Sequence, residues 1–338
     1  MPSSVCIVGA GVIGVSTGVC IQENIPDATV TIVADKFTPD TTSDGSGGLW
    51  EPHALGNTPV HLMQQWSDAT FKYLSRLLRE EHANTAGVHL ASGYHVFKEV
   101  VKDPDWSGSV YGFRTISESD DELKMFPGYK HGWFFTSIMC EGPRYLPWLT
   151  ARFKLQGGIM IKKHLDSLEQ LSGQYDVVVN CSGLGAYSLV NDKSVYPIRG
   201  QLLRVEAPWI KHFVAYDDFV IYIFPGDRTI ALGGTHQYKD WRETNDEEDC
   251  EVIFKECCKL VPSLKKSKVL YKWAGLRPGR LSVRLEKENV KFGNRRLKVV
   301  HNYGHGGGGI SLHWGCAQHA ARLVRDILEE VPLASCKL

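Results

Sequence analysis

The chain has 338 residues, 43% hydrophobic and 22% charged, a globular composition with material for about two domains that excludes the disordered, collagenous and coiled-coil classes. Its 38 Lys and Arg balance 38 Asp and Glu, so no global field gathers a polyanion and nucleic acid is not an expected partner. No apolar run reaches the ~18–20 residues of a membrane span and the first residues lack the order of a signal peptide, so no membrane partner is expected and synthesis is placed in the cytosol.

The run SVCIV at 4–8 is apolar without alternation, as a strand buried on both faces requires. It leads into Gly9-Ala10-Gly11-Val12-Ile13-Gly14, then a helical pattern to about residue 22 and a second buried strand at 29–34 that ends in Asp35. In such a unit the first glycine makes the turn, the second admits a pyrophosphate and the third lets helix and strand pack; Asp35 suits a ribose hydroxyl. Residues 38–48 read as a polar Gly/Ser/Thr loop that offers donors to a cofactor. An amphipathic helix is predicted over 64–81, short antiparallel strands between 87 and 140, and a helix from about 143 to 155. The run YDVVVNCSG (175–183) returns to the parallel sheet. A second strand-rich region follows 197, with an acidic helix start at 243–251 and a strand at 269–276 that leads to Arg277. The nine cysteines contain no CxxC pair and read as reduced, mostly buried thiols.

The strongest local feature is HNYGHGGGG at 301–309, between a buried strand and a terminal helix predicted over 311–329. Packing fixes that helix, so its free amides and the Ser311 hydroxyl meet negative charge near N1 and O2 of a reduced flavin. His301 and His305 have HxxxH spacing, but the surrounding glycines disfavour a helix and no carboxylate completes a ligand set, so no metal is expected. Arg277, ahead of a proline, reads alone either as a surface or salt-bridge residue or as a fixed guanidinium able to clasp a carboxylate in bidentate fashion, with Tyr222 able to offer the same anion a phenolic hydroxyl.

Taken together, GAGVIG, ADKFTPDTTSD, GGLWEP, EGPRYLPWL, VVNCSGLG, RGQ, YIFPG, LGGTHQ, GLRPGR and HNYGHGGGGIS resemble the D-amino acid oxidase family over essentially the whole chain, and within it the D-aspartate oxidase branch. The resemblance implies an α/β fold: a Rossmann-like parallel-sheet FAD-binding domain (1–50, 141–196, 290–338) with a second, largely antiparallel α+β substrate domain (51–140, 197–289). It implies noncovalent FAD held by Gly9, Ala10, Gly11, Val12, Ile13, Gly14, Asp35, Lys36, Thr41, Thr42, Ser43, Gly48, Leu49, Leu165, Ser182, Gly307, Gly308, Gly309, Ile310 and Ser311. Arg277 and Tyr222 then bind the α-carboxylate, Gly307 accepts from the amino group, and the Cα hydrogen leaves as hydride to flavin N5. The implied reaction is oxidative deamination of D-aspartate and related acidic D-amino acids with O2, giving 2-oxo acid, ammonia and hydrogen peroxide; neutral D-amino acids are the alternative. The short segment 212–222 matches the acidic branch, although Ala215 and His236 stand where those oxidases carry arginines. His236, if protonated, meets a second carboxylate with help from His53, Glu51 opposes one, and Phe224 lines the same pocket. The final Cys336-Lys337-Leu338 resembles the SKL-type address, so a peroxisomal import receptor is an expected partner and the peroxisomal matrix the expected location.

Overall fold

The computed structural model describes residues 2–217 and 219–330. Strand β1 (Ser4–Val8), helix α1 (Val12–Asn24) and β2 (Thr29–Ala34) open the chain. After a long loop come α2 (Val60–Leu77), the single turn α3 (Ala83–Ala86), β3 (Val88–Phe97), β4 (Tyr111–Ser117) and β5 (His131–Cys140). Then follow α4 (Gly142–Leu155), β6 (Ile159–Lys162), β7 (Val177–Asn180), the short α5 (Ala186–Leu189), β8 (Tyr196–Glu206), β9 (Phe213–Tyr216), β10 (Ile221–Pro225), β11 (Ile230–Gly233) and β12 (Gln237–Tyr238). The chain continues with α6 (Glu247–Leu260), β13 (Lys268–Gly279), β14 (Arg284–Phe292), β15 (Arg295–Tyr303) and α7 (Gly309–Glu329).

Two sheets result. The first has the order β14-β15-β7-β1-β2-β6, parallel except for β14. The second runs β12-β8-β11-β10-β9-β3-β5-β4, with β13 also on β8, and is antiparallel except where β3 meets β9. The central parallel strands β1, β2 and β7 are buried on both faces, which is why SVCIV, TVTIVA and VVVN are mainly apolar runs, whereas β6 at the edge is mostly exposed. One face packs on α1 and α7; the Ser16 hydroxyl of α1 donates to the His313 carbonyl of α7 at 3.4 Å.

Several boundaries differ from the sequence reading. The domain boundary placed at 290 falls inside β14, which pairs with β15 along its length. Helix α2, from the stretch assigned to the substrate domain, packs on α7 of the parallel half: Tyr73 stacks on Trp314 at 3.6 Å and Trp66 Nε1 donates to His319 at 3.1 Å. It also starts at Val60, straight after Pro59, and ends at Leu77, because proline fixes the first turn. The eight described cysteines are buried free thiols; Cys336 and the rest of the C-terminal tripeptide lie outside the described residues. No helix among the described residues is long and apolar enough to cross a membrane.

Candidate active site

A single cleft of about 770 Å³ opens at the carboxyl ends of β1, β2 and β7 and is walled on its other side by the second sheet. Such crevices are where open α/β sheets bind ligands.

The Gly-rich turn lies at one end. Gly9 has φ +108°, and a side chain there would meet the Cys181 carbonyl at 2.4 Å; a Cβ on Gly14 would stand 2.0 Å from the Gly9 carbonyl. The first glycine thus serves conformation and the third serves strand–helix packing. Helix α1 begins without a capping side chain, and its Val12 amide donates to Ser43 Oγ at 3.0 Å. Asp44 folds the 38–48 loop over this helix end: it accepts from the Thr38 hydroxyl at 2.6 Å and from the Thr41 amide and hydroxyl at 3.0 and 2.6 Å. The Thr42 hydroxyl donates to the Leu276 carbonyl at 3.1 Å, tying the loop to β13. Asp35 and Lys36 lie exposed past the end of β2, Lys36 paired with Glu243 at 3.2 Å across the mouth. At the far end α7 also starts without a capping side chain, on Gly308.

Of the residues implied for the cofactor, Gly9, Ala10, Gly11, Val12, Ile13, Asp35, Lys36, Thr41, Thr42, Ser43, Gly48, Leu49, Ser182, Gly307, Gly309 and Ile310 line this cleft. Four are placed elsewhere. Gly14 packs inward on Gly9, and Gly308 faces Leu55 and Leu312. Leu165 belongs to an apolar cluster with Cys6, Val8 and Val33. Ser311 is buried, and its hydroxyl accepts from the Glu51 amide at 3.0 Å, which holds a loop and leaves the O–H free to donate.

Two uncapped helix N-termini opening on one elongated cleft suit a ligand with anionic groups at both ends. Ser46 Oγ, Asn302 Oδ1 and His305 Nε2 also line it and are buried without a hydrogen-bond partner among the described residues. This donor and acceptor set fits a flavin dinucleotide: the α1 turn and Ser43 would hold the pyrophosphate, Asp35 the adenosine ribose, and the α7 turn the flavin ring.

Arg277 sits on β13 opposite Ile198 of β8, in the half of the cleft beside α7. Its guanidinium lies flat over Gly200, where a Cβ would meet Nη1 at 2.3 Å, and it donates to the Thr235 carbonyl at 2.9 Å. The Tyr222 side chain is its other polar neighbour, and no carboxylate among the described residues lies within ion-pair range of it. Burial lowers the Arg277 pKa and Tyr222 opposes this; burial raises that of Tyr222, against Arg277 and Arg204, so Tyr222 stays a phenol donor. The Tyr222 ring stacks on Phe224 at 4.3 Å. The remaining wall is His53, His236, Phe219 and Glu51; the two imidazoles stack at 6.5 Å, and His53 Nε2 would lie 2.4 Å from a Cβ on Gly307.

The protonation of His236 expected beside a substrate's second carboxylate is opposed by its own surroundings. Burial first, then Arg277 and His53, push its pKa down to about 3. Sequence reasoning also missed His95, Phe219 and Gly200. The only signal at His95 is a histidine inside the apolar strand GYHVF; nothing in the chain announces its partner, Glu51 Oε1 at 2.8 Å.

The family model described as FAD dependent oxidoreductase matches residues 4–323. A D-aspartate oxidase of Homo sapiens is 46% identical over 95% of this chain and 94% of its own length. A D-amino acid oxidase of Dugesia ryukyuensis is 36% identical over 97% and 99%. Among solved structures, glycine oxidase from Geobacillus kaustophilus superposes with a TM-score of 0.76 at 19% identity, covering 98% of this chain and 95% of that one. An FAD-bound L-α-glycerophosphate oxidase from Mycoplasma pneumoniae does so at 0.72 and 14% identity, over 95% and 94%; these two likenesses show the fold. By the family match over residues 4–323 and these identities over nearly the whole chain, the chain belongs to the FAD dependent oxidoreductase family, among the D-aspartate and D-amino acid oxidases.

Proposed function

We propose that the chain is a D-aspartate oxidase, which with O2 and water converts D-aspartate, D-glutamate or N-methyl-D-aspartate to the 2-oxo acid, ammonia (methylamine from the N-methyl substrate) and hydrogen peroxide. The observation that carries this is Arg277: a buried guanidinium with no acid partner among the described residues, beside the Tyr222 hydroxyl, in the same cleft as the α7 helix end. A substrate α-carboxylate supplies the missing counter-charge, with two donors in fixed geometry. Bound FAD, held noncovalently through amides and hydroxyls, supplies the two-electron acceptor for the Cα hydride. Clamping the carboxylate sets which Cα substituent faces that acceptor, so handedness comes from Arg277 and Tyr222, and rate from orientation without a side-chain base. The Gly307 carbonyl, beside His53, accepts a hydrogen bond from the substrate amino group. Phe219, Phe224 and Tyr222 exclude water around the reacting carbon.

A second reading, oxidation of neutral D-amino acids, is favoured by the uncharged His236 and by Ala215. Oxygen uptake by the FAD-loaded protein decides between them. D-Asp, D-Glu and N-methyl-D-aspartate are expected to lead, and D-Ala far above D-Asp would select the second reading. Acid precipitation is expected to release the yellow chromophore into solution, which a covalent flavin would not do. The peroxide product and the ending Cys336-Lys337-Leu338 support import into peroxisomes; a fluorescent fusion bearing these residues that stays diffuse in import-competent cells would refute it.

A further inference from the structure

Strand β8 loses its regular neighbour just behind the carboxylate anchor. On the side away from β13 it pairs with β11 as far as Leu202 with Gly233, and with β12 from Arg199 with Gln237. Between these pairs Gly234, Thr235 and His236 stand against only Gly200 and Gln201, so the facing strand bulges by one residue and the ladder is interrupted. Arg199 and Gln201 are 0% and 1% exposed, and backbone groups at that depth need partners from the protein.

The Thr235 side chain supplies them. Its Oγ1 accepts from the Gln201 amide at 2.9 Å and donates to the Arg199 carbonyl at 3.3 Å. One hydroxyl thus stands in for the missing rung, and the Thr235 main chain is released to turn toward β13. Its carbonyl accepts from Nη1 of Arg277 at 2.9 Å. The loop is pinned again two residues on, where Gln237 Oε1 accepts from the buried Arg199 guanidinium at 2.5 Å and Asp249 Oδ2 of α6 accepts from the same group at 2.7 Å.

Two contacts therefore decide how the Arg277 fork lies. Gly200 gives it a flat floor, and the Thr235 carbonyl, by taking a hydrogen of Nη1, fixes its rotation over that floor. The other N–H groups are left for a carboxylate, and a fork already oriented loses less freedom when it binds one. Thr235 does not line the cleft; it stands behind the wall.

We propose that Thr235 is a positioning residue for the oxidation: by closing the bulge, its hydroxyl holds the Thr235 carbonyl where that carbonyl aims the Arg277 fork at the substrate α-carboxylate. This rests on the deamination proposed for the same cleft. Because the carboxylate contact exists both before and during hydride departure, its weakening shows mainly in KM.

The test uses the FAD-loaded protein and its Thr235→Val and Thr235→Ser variants. Valine keeps the branched shape without the hydroxyl, and serine keeps the hydroxyl. Thr235→Val is expected to raise KM for D-Asp and D-Ala about tenfold with kcat lowered no more than about threefold and the flavin retained, and Thr235→Ser to stay within about threefold of wild type. Succinate, which is aspartate without its amino group, is expected to bind the Val variant about tenfold more weakly, as read by tryptophan fluorescence. In an Arg277→Ala background the Val substitution is expected to change kcat/KM less than about twofold, since no fork remains to be misplaced. For the case where Val prevents folding, Thr235→Cys decides: its thiol bonds weakly, and KM is expected to rise at least about threefold. An unchanged KM in the Val or Cys variant, a Ser variant as impaired as Val, or an undiminished Val effect without Arg277 would each overturn the assignment. Absence of peroxide from every D-amino acid with the wild-type protein would instead overturn the oxidase reading, while the succinate comparison reads Thr235 without turnover.

Discussion

Removing the Arg277 guanidinium takes away two charge-assisted donors while leaving the α1 turn, the 38–48 loop and the α7 end intact. Arg277→Ala is therefore expected to lower kcat/KM for any D-amino acid by about 10²–10⁴ with the flavin absorption retained; loss of flavin in proportion to activity would show that the residue is structural. His236 gives a second expectation at this scale. Its pKa of about 3 means that it is already neutral throughout pH 5 to 8. It should contribute no ionisation to kcat/KM there, and a limb near pH 6 to 7 that vanishes in His236→Asn would contradict this. The anchor Arg277 and Tyr222 were legible through family resemblance. The space that lets Arg277 lie flat was not, because Gly200 in RGQ reads as one more turn glycine until β8 and β13 are seen side by side.

Which elements were legible depended on where their polar groups go. Strands β1, β2 and β7, buried on both faces, are plain apolar runs, and α1 is announced by its glycines. Strand β14, RLEKENVKF, is largely exposed at the sheet edge and its charges conceal it, which is why the domain boundary was placed inside it. The Glu51–His95 pair was hidden for another reason. His95 reaches the site because β3 lies beside β9, a pairing of segments about 120 residues apart that no local pattern encodes. The packing of α1 against β1 makes its own prediction. A methyl group on Gly14 would stand 2.0 Å from the Gly9 carbonyl, and backbone cannot yield there as a side-chain tip can. Gly14→Ala is expected to abolish flavin retention on gel filtration. A variant that elutes yellow with normal flavin content would mean that the turn relaxes without loss.

At the scale of the molecule, α7 links the two halves of the cleft, and two buried histidines at its start tie stability to pH. His313 Nδ1 donates to the Ile310 carbonyl at 2.8 Å, and its Nε2 accepts from the Tyr145 hydroxyl of α4 at 2.7 Å. Burial pushes its pKa down to about 4 and, with His313 nearby, that of His305 to about 3. Both are neutral in the native state, whereas in the unfolded chain they titrate near 6.5. As pH falls through 6.5 the unfolded state takes up protons that the native state refuses, so stability declines until the folded pKa values are reached. Asp192 acts in a different window. Burial disfavours its ionisation, but hydrogen bonds from Ser194, Arg280 and Tyr303 outweigh it and hold it well below the carboxylate range. Its contribution is complete above the unfolded carboxylate pKa and is lost only in stronger acid. Between pH 7.5 and 5, then, the histidines govern, at about 2 kcal/mol each. Urea unfolding of the holoenzyme at the two pH values is expected to show a fall of about 4 kcal/mol from this pair and a further fall from His236, His301 and His319, which are also shifted down, with His313→Gln recovering about 2 kcal/mol. A fall of the same size in wild type and variant would remove His313 as a cause, since the substitution deletes its proton uptake and leaves every other titrating group in place.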